Sequence, residues 1–402
     1  MSSHVDRRTF LGMSLAATAP LFLGRTVDLF ADEAAQSDDV LVVLQLSGGN
    51  DGLSTIVPRA DDAYRRARRG TLVEGALPLD DRRGLHPNLD QLLPLWKDGK
   101  MAIVEGVSYP NPNRSHFKSL DIWHTADERG RRLDTGWLGR AIDAACPTVR
   151  DPNLVINLGT TVPYALNATV HKAVSFEAIE NYTWKGRAAD TKTFDKLNEA
   201  PSGTSTGLSE LDWLHRTAAD ARMSSGVVRA AAARYKARVA YPERNPTADH
   251  LRQVASLICG GLATRVFYVS MGGYDTHVRQ KQAHDNLMRA LGDAVAAFHK
   301  DLVAQGCSKR VLVVAFSEFG RRVAENASGG TDHGVAGPMF LFGDRVKGGL
   351  YGTHPSLTDL DDGDLKMQVD FRQVYATVLD GWLRTPSKAV LGAEFGTLPL
   401  LG

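Results

Sequence analysis

The sequence predicts an α/β fold in which a mainly parallel sheet is flanked by helices on both faces. Three observations lead there: five continuous apolar runs, amphipathic helices between them, and glycine-rich or acidic loops directly after several runs. The runs occupy residues 40–46, 101–107, 154–158, 265–271 and 310–316. Their hydrophobicity is continuous rather than alternating, so both sides of each strand are expected to be covered.

The helices follow the same logic. Leu287, Leu291, Val295, Phe298 and Leu302 fall on one face of residues 279–304, between the fourth and fifth strands. A second amphipathic helix over about 248–260, led in by Pro246 and Thr247, precedes the fourth strand. Residues 186–208 are polar and carry Pro201, Gly203 and Gly207, and a long helical stretch follows to about 239. We read about 186–240 as a helical insertion in one domain spanning 37–402.

Residues 1–36 are read as a leader. Arg7 and Arg8 stand before a moderately apolar stretch over 12–24, as in a twin-arginine export signal, and that stretch is shorter than the roughly 20 residues a bilayer requires. The expectation is a protein handled by the twin-arginine translocase, placed in the periplasm or outside the cell, with no stable membrane anchor. Cys146, Cys259 and Cys307 cannot all pair internally, so disulfides are not the scaffold.

With 402 residues and 43% hydrophobic content, the chain has enough apolar side chain for a large core and is not a disordered one. The formal net charge of +1 leaves no global field, and no basic stripe with interleaved aromatics argues for nucleic acid. Arg65, Arg66, Arg68 and Arg69 run beside Asp61 and Asp62, and the expectation is a solvated helix face.

Ligands of open parallel sheets lie beyond the carboxyl ends of the strands. Asp51, Asp275, His277, Glu318, Asp332 and His333 all fall in loops of that kind, a mixed carboxylate and imidazole set suited to a divalent metal, with Zn, Mg, Mn and Ca left open. Clustered carboxylates repel one another unless a cation neutralises them. Arg114, Ser115 and His116 follow the second strand, before a helical stretch over 118–125. Ser115 is either the cap of that helix or a nucleophile, Arg114 pairs with an anionic substrate oxygen, and His116 is a ligand or an acid.

Together with the twin-arginine leader, the segments Leu46-Ser47-Gly48-Gly49-Asn50-Asp51-Gly52, Asn113-Arg114-Ser115-His116, Gly273-Tyr274-Asp275-Thr276-His277, Ser317-Glu318-Phe319-Gly320-Arg321 and Thr331-Asp332-His333-Gly334 resemble the bacterial domain-of-unknown-function 1501 family. Gly349-Leu350-Tyr351-Gly352 and Asp370-Phe371-Arg372-Gln373-Val374-Tyr375 continue the likeness in order. That family in turn resembles the alkaline phosphatase and sulfatase superfamily. The resemblance implies that Asp51 is a first metal ligand, Ser115 the nucleophile, Asp275 with His277 a ligand pair, Glu318 a later carboxylate and His333 the final ligand. The chain departs from the superfamily pattern at Glu318-Phe319, where an Asp-His pair is usual, and in the short gap between Asp275 and His277. The implied activity is metal-dependent hydrolysis of small anionic phosphate or sulfate esters. The alternative is an exported binding or assembly protein on the same fold.

Overall fold

The computed structural model describes residues 38–129, 134–148, 151–183 and 210–402, without the side chains of 210–220. The leader and the first part of the expected insertion lie outside the described residues. β1 (Val40–Leu46) leads into a small three-stranded sheet made of β2 (Ile56–Val57), β3 (Leu77–Pro78) and β4 (Gly84–Leu85), with helix α1 (Asp62–Ala67) between β2 and β3. β5 (Met101–Ser108) is followed by α2 (His116–Thr125) and α3 (Trp137–Ala145). β6 (Val155–Leu158) and β7 (Val174–Phe176) precede the long helix α4 (Glu210–Ala233), then α5 (Pro246–Cys259) and β8 (Val266–Met271). Helix α6 (Gln280–Gln305) joins β8 to β9 (Val311–Phe316), and β10 (Gly337–Phe342), β11 (Gly349–Tyr351), β12 (Val369–Asp370) and α7 (Phe371–Val378) complete the part relevant here.

The main sheet has the order β11-β5-β10-β9-β1-β8-β6-β7, with β12 also beside β5. β1 is central and parallel to both neighbours, with Val42 opposite Phe267 on one side and Val313 on the other. Its side chains serve two cores. Leu41 and Val43 join a cluster with residues of α2, α3 and α7, while Val40, Val42, Leu44 and Leu46 join one with residues of α5 and α6. Burial of each such side chain contributes about 1.5–3 kcal/mol, which explains the uninterrupted apolar run. The expected mainly parallel sheet covered on both faces is what the structure shows.

One strand lies outside the five runs read from the sequence, and one local feature differs from that reading. β10 is antiparallel to both β5 and β9, since the long 317–336 connection re-enters the sheet at the edge where β9 ends and lays the next strand alongside in the opposite direction. The arginine run is not uniformly solvated either: Arg65, Arg66 and Arg69 are exposed, whereas Arg68, at the end of α1, is completely buried. Its Nε donates to the Val323 carbonyl at 2.6 Å and its Nη2 to that of Arg322 at 2.7 Å, so it ties α1 to the loop after β9.

Candidate metal centre

β1, β8 and β9 end side by side, and their loops close on one another at that edge. Glycine makes the approach feasible. Gly48 has φ +121°, and a Cβ there would lie 2.5 Å from the Asp275 backbone nitrogen; at Gly49, with φ +78°, a Cβ would lie 2.4 Å from the Phe319 ring. Buried Arg321 fastens the loops. Its Nε donates to the Gly49 carbonyl at 2.7 Å, Nη1 to that of Thr331 at 2.8 Å, and Nη2 to that of Tyr274 at 3.0 Å and to Asp275 Oδ1 at 2.7 Å.

Three imidazoles gather around Asp275. Each is fixed through Nδ1: His116 on Glu318 Oε1 at 2.7 Å, His277 on Asp332 Oδ1 at 3.2 Å, and His333 on the Arg114 carbonyl at 2.7 Å. Carboxylates and carbonyls only accept, so each Nδ1 carries the proton, and in the neutral ring each Nε2 presents a lone pair. Those lone pairs face a common space. His277 Nε2 and His333 Nε2 are 2.9 Å apart, and each is 3.1 Å from Asp275 Oδ1. His116 Nε2 is 3.6 Å from Asp275 Oδ2 and, although shielded from solvent, has no hydrogen-bond partner. Phe319 packs against the His116 and His333 rings, at centroid separations of 4.9 and 4.7 Å.

Converging acceptors repel unless a proton or cation lies between them. Donors around a tetrahedral zinc with bonds of about 2.0–2.1 Å stand roughly 3.3 Å apart, close to the separations here. His116, Asp275 and His333 offer ligand atoms all within 4.8 Å of one another. The outer acceptors on Nδ1 are the arrangement that orients metal-bound histidines. The residues therefore fit a divalent metal.

Electrostatics favour the ionised Asp275 and the neutral His333. Desolvation would raise the Asp275 pKa, but the hydrogen bond and positive charge of Arg321 lead the effects that outweigh it and lower it to about 2. Burial pushes the His333 pKa below its ordinary value, keeping the ring neutral. The Asp332 carboxyl is also lowered, by its hydrogen bond from Asn326 and then by His277.

Asp51 stands apart from this group. Fully buried, it receives Arg68 Nη1 on Oδ2 at 2.5 Å, Arg68 Nη2 on Oδ1 at 3.1 Å, Ser54 Oγ at 2.7 Å and Gln280 Nε2. Burial alone would push its carboxyl up; the charge and hydrogen bonds of Arg68 override that and hold it well below the usual range. The position that the resemblance gives to a metal ligand holds an internal ion pair. Glu318 is likewise not turned to the common space, since Oε1 accepts from the Gly48 N–H at 2.9 Å as well as from His116. The Arg114 guanidinium meets Asp364 and lies 3.4 Å from Asp362. Ser115 is the first residue before α2, yet its hydroxyl makes no capping bond; its N–H donates to Asn113 Oδ1 at 2.8 Å. The sequence reading missed the organising role of Arg321, three residues after Glu318, and that of Arg68, for which no local signal exists.

Similarity to known proteins is distant. No curated protein matches the chain. Among solved structures it is similar to the C-terminal periplasmic domain of EptC from Escherichia coli in complex with Zn, at 11% identity over 77% of this chain and 74% of that one, with a TM-score of 0.33. It is similar to the PsFucS1 sulfatase from Pseudoalteromonas sp., at 10% identity over 95% and 75% of the two chains and a TM-score of 0.39. The lipoteichoic acid synthase LtaP from Listeria monocytogenes is similar at 8% identity over 93% and 79%, with a TM-score of 0.34. The family described as "Protein of unknown function (DUF1501)" matches residues 99–392, and the chain belongs to that family.

Proposed function

We propose that the protein is an exported metal-dependent hydrolase of phosphate or sulfate esters. The observation that carries this reading is the meeting of the His116, His277 and His333 Nε2 atoms at Asp275, each ring oriented from behind through Nδ1. His116, Asp275, His277 and His333 would hold the metal. Three imidazoles with one carboxylate favour zinc over Mg or Ca, which take mainly oxygen ligands. When bound, the metal supplies Lewis-acid stabilisation of negative charge on the ester oxygens.

The chain's own part in the reaction centres on Ser115. Its neighbours in sequence are Arg114, whose carbonyl anchors His333, and His116 itself, so its backbone is tied to the cluster. The hydroxyl is not consumed by a cap, and it serves as the nucleophile. Its oxygen bonds to the ester phosphorus or sulfur as the bond to the alcohol oxygen breaks, its proton leaves and the alcohol departs protonated. Water then cleaves the seryl ester to return Ser115 and free phosphate or sulfate. Asp364 and Asp362 fix Arg114, whose backbone thereby holds the His333 ring.

Ser115→Ala tests this directly against a panel of aryl phosphate, phosphodiester and sulfate esters with Zn²⁺, Mn²⁺, Mg²⁺ or Ca²⁺ supplied. Hydrolysis is expected to fall on the order of a thousandfold or more, with metal content and melting temperature unchanged, because no capping bond is lost. Activity that survives the substitution would remove Ser115 from the reaction. A wild-type protein that holds metal but turns over no ester would support the exported binding or assembly protein instead.

Export through the twin-arginine translocase belongs to the same proposal and rests on Arg7 and Arg8 of the leader. No helix among the described residues is long and apolar enough to cross a membrane.

A further inference from the structure

Arg114 and Arg322 come from loops far apart in the chain, the first between β5 and α2 and the second after β9. Both reach the same atom. Asp362 Oδ2 lies 3.4 Å from Arg114 Nη2 and 3.1 Å from Arg322 Nη2. Two guanidiniums converging on one carboxylate oxygen form a seat for an anion, and here a side chain of the chain itself occupies it. Both guanidiniums are partly open to solvent, at 39% and 33% exposure, so a ligand can enter.

The occupant is presented on a tight turn. Asp361 and Asp364 exchange backbone hydrogen bonds at 3.0 and 2.9 Å, and φ is positive at both residues between them, +50° at Asp362 and +80° at Gly363. This is the geometry of a type I′ turn, which favours Asp-Gly and Asn-Gly. Asp364 and Leu365, on the far side of the turn, are buried and anchor it. Asp364 meets the Arg114 guanidinium and lies 3.7 Å from Arg322 Nε, whereas the Asp362 carboxylate at the tip is 77% exposed. An ion pair so exposed contributes little to stability, so a ligand anion can displace it. With Asp362 turned away, two guanidiniums face one buried carboxylate, and the seat keeps a positive charge.

The seat borders the metal centre through both backbones. Arg114 precedes Ser115, and its carbonyl accepts from His333 Nδ1 at 2.7 Å. The Arg322 N–H donates at 3.0 Å to the carbonyl of Asp332, whose carboxylate fixes His277.

We propose that Arg114 and Arg322 form an oxyanion seat beside the metal centre, that Asp362 is its built-in competitor, and that the seat selects a doubly charged phosphate monoester over a singly charged sulfate ester. For its substrate the inference rests on the hydrolase reading and narrows it. Asp362 sets one singly charged oxygen between the guanidiniums. A phosphoryl group brings a second charge and three oxygens, and so accepts from both arginines at once. An anion no more charged than the carboxylate displaces it poorly, so Asp362 screens out weak competitors.

Calorimetric titration of the full chain with zinc supplied, at a pH of about 8, tests the seat with phenylphosphonate, doubly charged there, and benzenesulfonate, singly charged. Phenylphosphonate is expected to bind saturably and at least tenfold tighter than benzenesulfonate. Arg322→Gln should weaken it at least tenfold. Asp362→Asn, which keeps a favoured turn pair, should tighten it about threefold or more, a gain that misfolding cannot produce. Adding Arg322→Gln should abolish that gain, and Asp359→Asn, at an exposed acid paired with Lys366, should produce none. No saturable binding, no preference for the phosphonate, or no gain in Asp362→Asn would overturn the proposal. Binding that ignores Arg322 and Asp362 but is lost on chelation would assign the anion to the metal alone, overturning the seat and leaving the hydrolase reading standing. Binding that follows both residues in a protein that turns over no ester would support the seat and count against hydrolysis.

Discussion

Replacing Arg68 with methionine should destabilise the protein strongly without touching its metal content. Both partners of the Arg68–Asp51 pair are fully buried, so the variant leaves a carboxylate uncompensated in the interior, a change that costs about 3–5 kcal/mol. The carbonyls of Arg322 and Val323 lose their donors as well. With about 2.1 cal/mol/K of unfolding entropy per residue, a folded region of this size has roughly 0.8 kcal/mol/K, so the melting temperature should fall by about 4–6 °C. The double variant Asp51→Asn with Arg68→Met removes the stranded charge and should recover at least half of that fall. Thermal unfolding followed by calorimetry, with elemental analysis of the same samples, reads both quantities. A drop under about 1 °C would refute the argument for the buried pair. Metal lost in step with stability would refute the separation of Asp51 from the ligand group.

Acid should weaken the fold through two buried histidines. Burial depresses His284 and His124 to about 4, so between pH 6.5 and 4 the unfolded chain binds more protons than the folded one, and stability is lost as pH falls through that window. At about 1.4 kcal/mol per unit the two together account for several kcal/mol, and His284→Asn should flatten the melting-temperature profile; a flat wild-type profile from pH 7 to 5 would contradict this. Arg7→Lys with Arg8→Lys should hold the precursor in the cytosol, and fractionation showing normal export of that variant would remove the export proposal.

Part of the cluster is legible in the chain because Asp275 and His277, and likewise Glu318, come soon after an apolar strand. Asp275 and His277 are found by asking what comes after residues 265–271, and Glu318 after 310–316, and parallel pairing with β1 then brings those loops together. Asp51 satisfies the same local rule yet has a different fate. What separates it from Asp275 is Arg68, 17 residues along, at the end of a helix whose other arginines are solvated. No periodicity distinguishes an arginine turned inward from its exposed neighbours; the contact is made by tertiary packing. Glu318 shows a related limit, since a carboxylate that orients His116 and one that binds metal read alike in sequence. β10 is not among the five runs read from the sequence, and its direction has no local signal because six largely apolar residues bury equally well parallel or antiparallel. Asp362 stayed hidden because it meets Arg114 across 248 residues of chain.

The central claim is that three imidazoles and Asp275 form one metal centre. Elemental analysis of protein purified without chelator tests it most directly, with His116→Ala, Asp275→Asn and His333→Ala measured beside Asp51→Asn. The account predicts about one transition-metal ion per wild-type chain, zinc above all, lost at least tenfold in the first three variants and kept in Asp51→Asn. A wild-type protein without bound metal after exposure to zinc, or metal retained when Asp275 and His333 are changed, would contradict it.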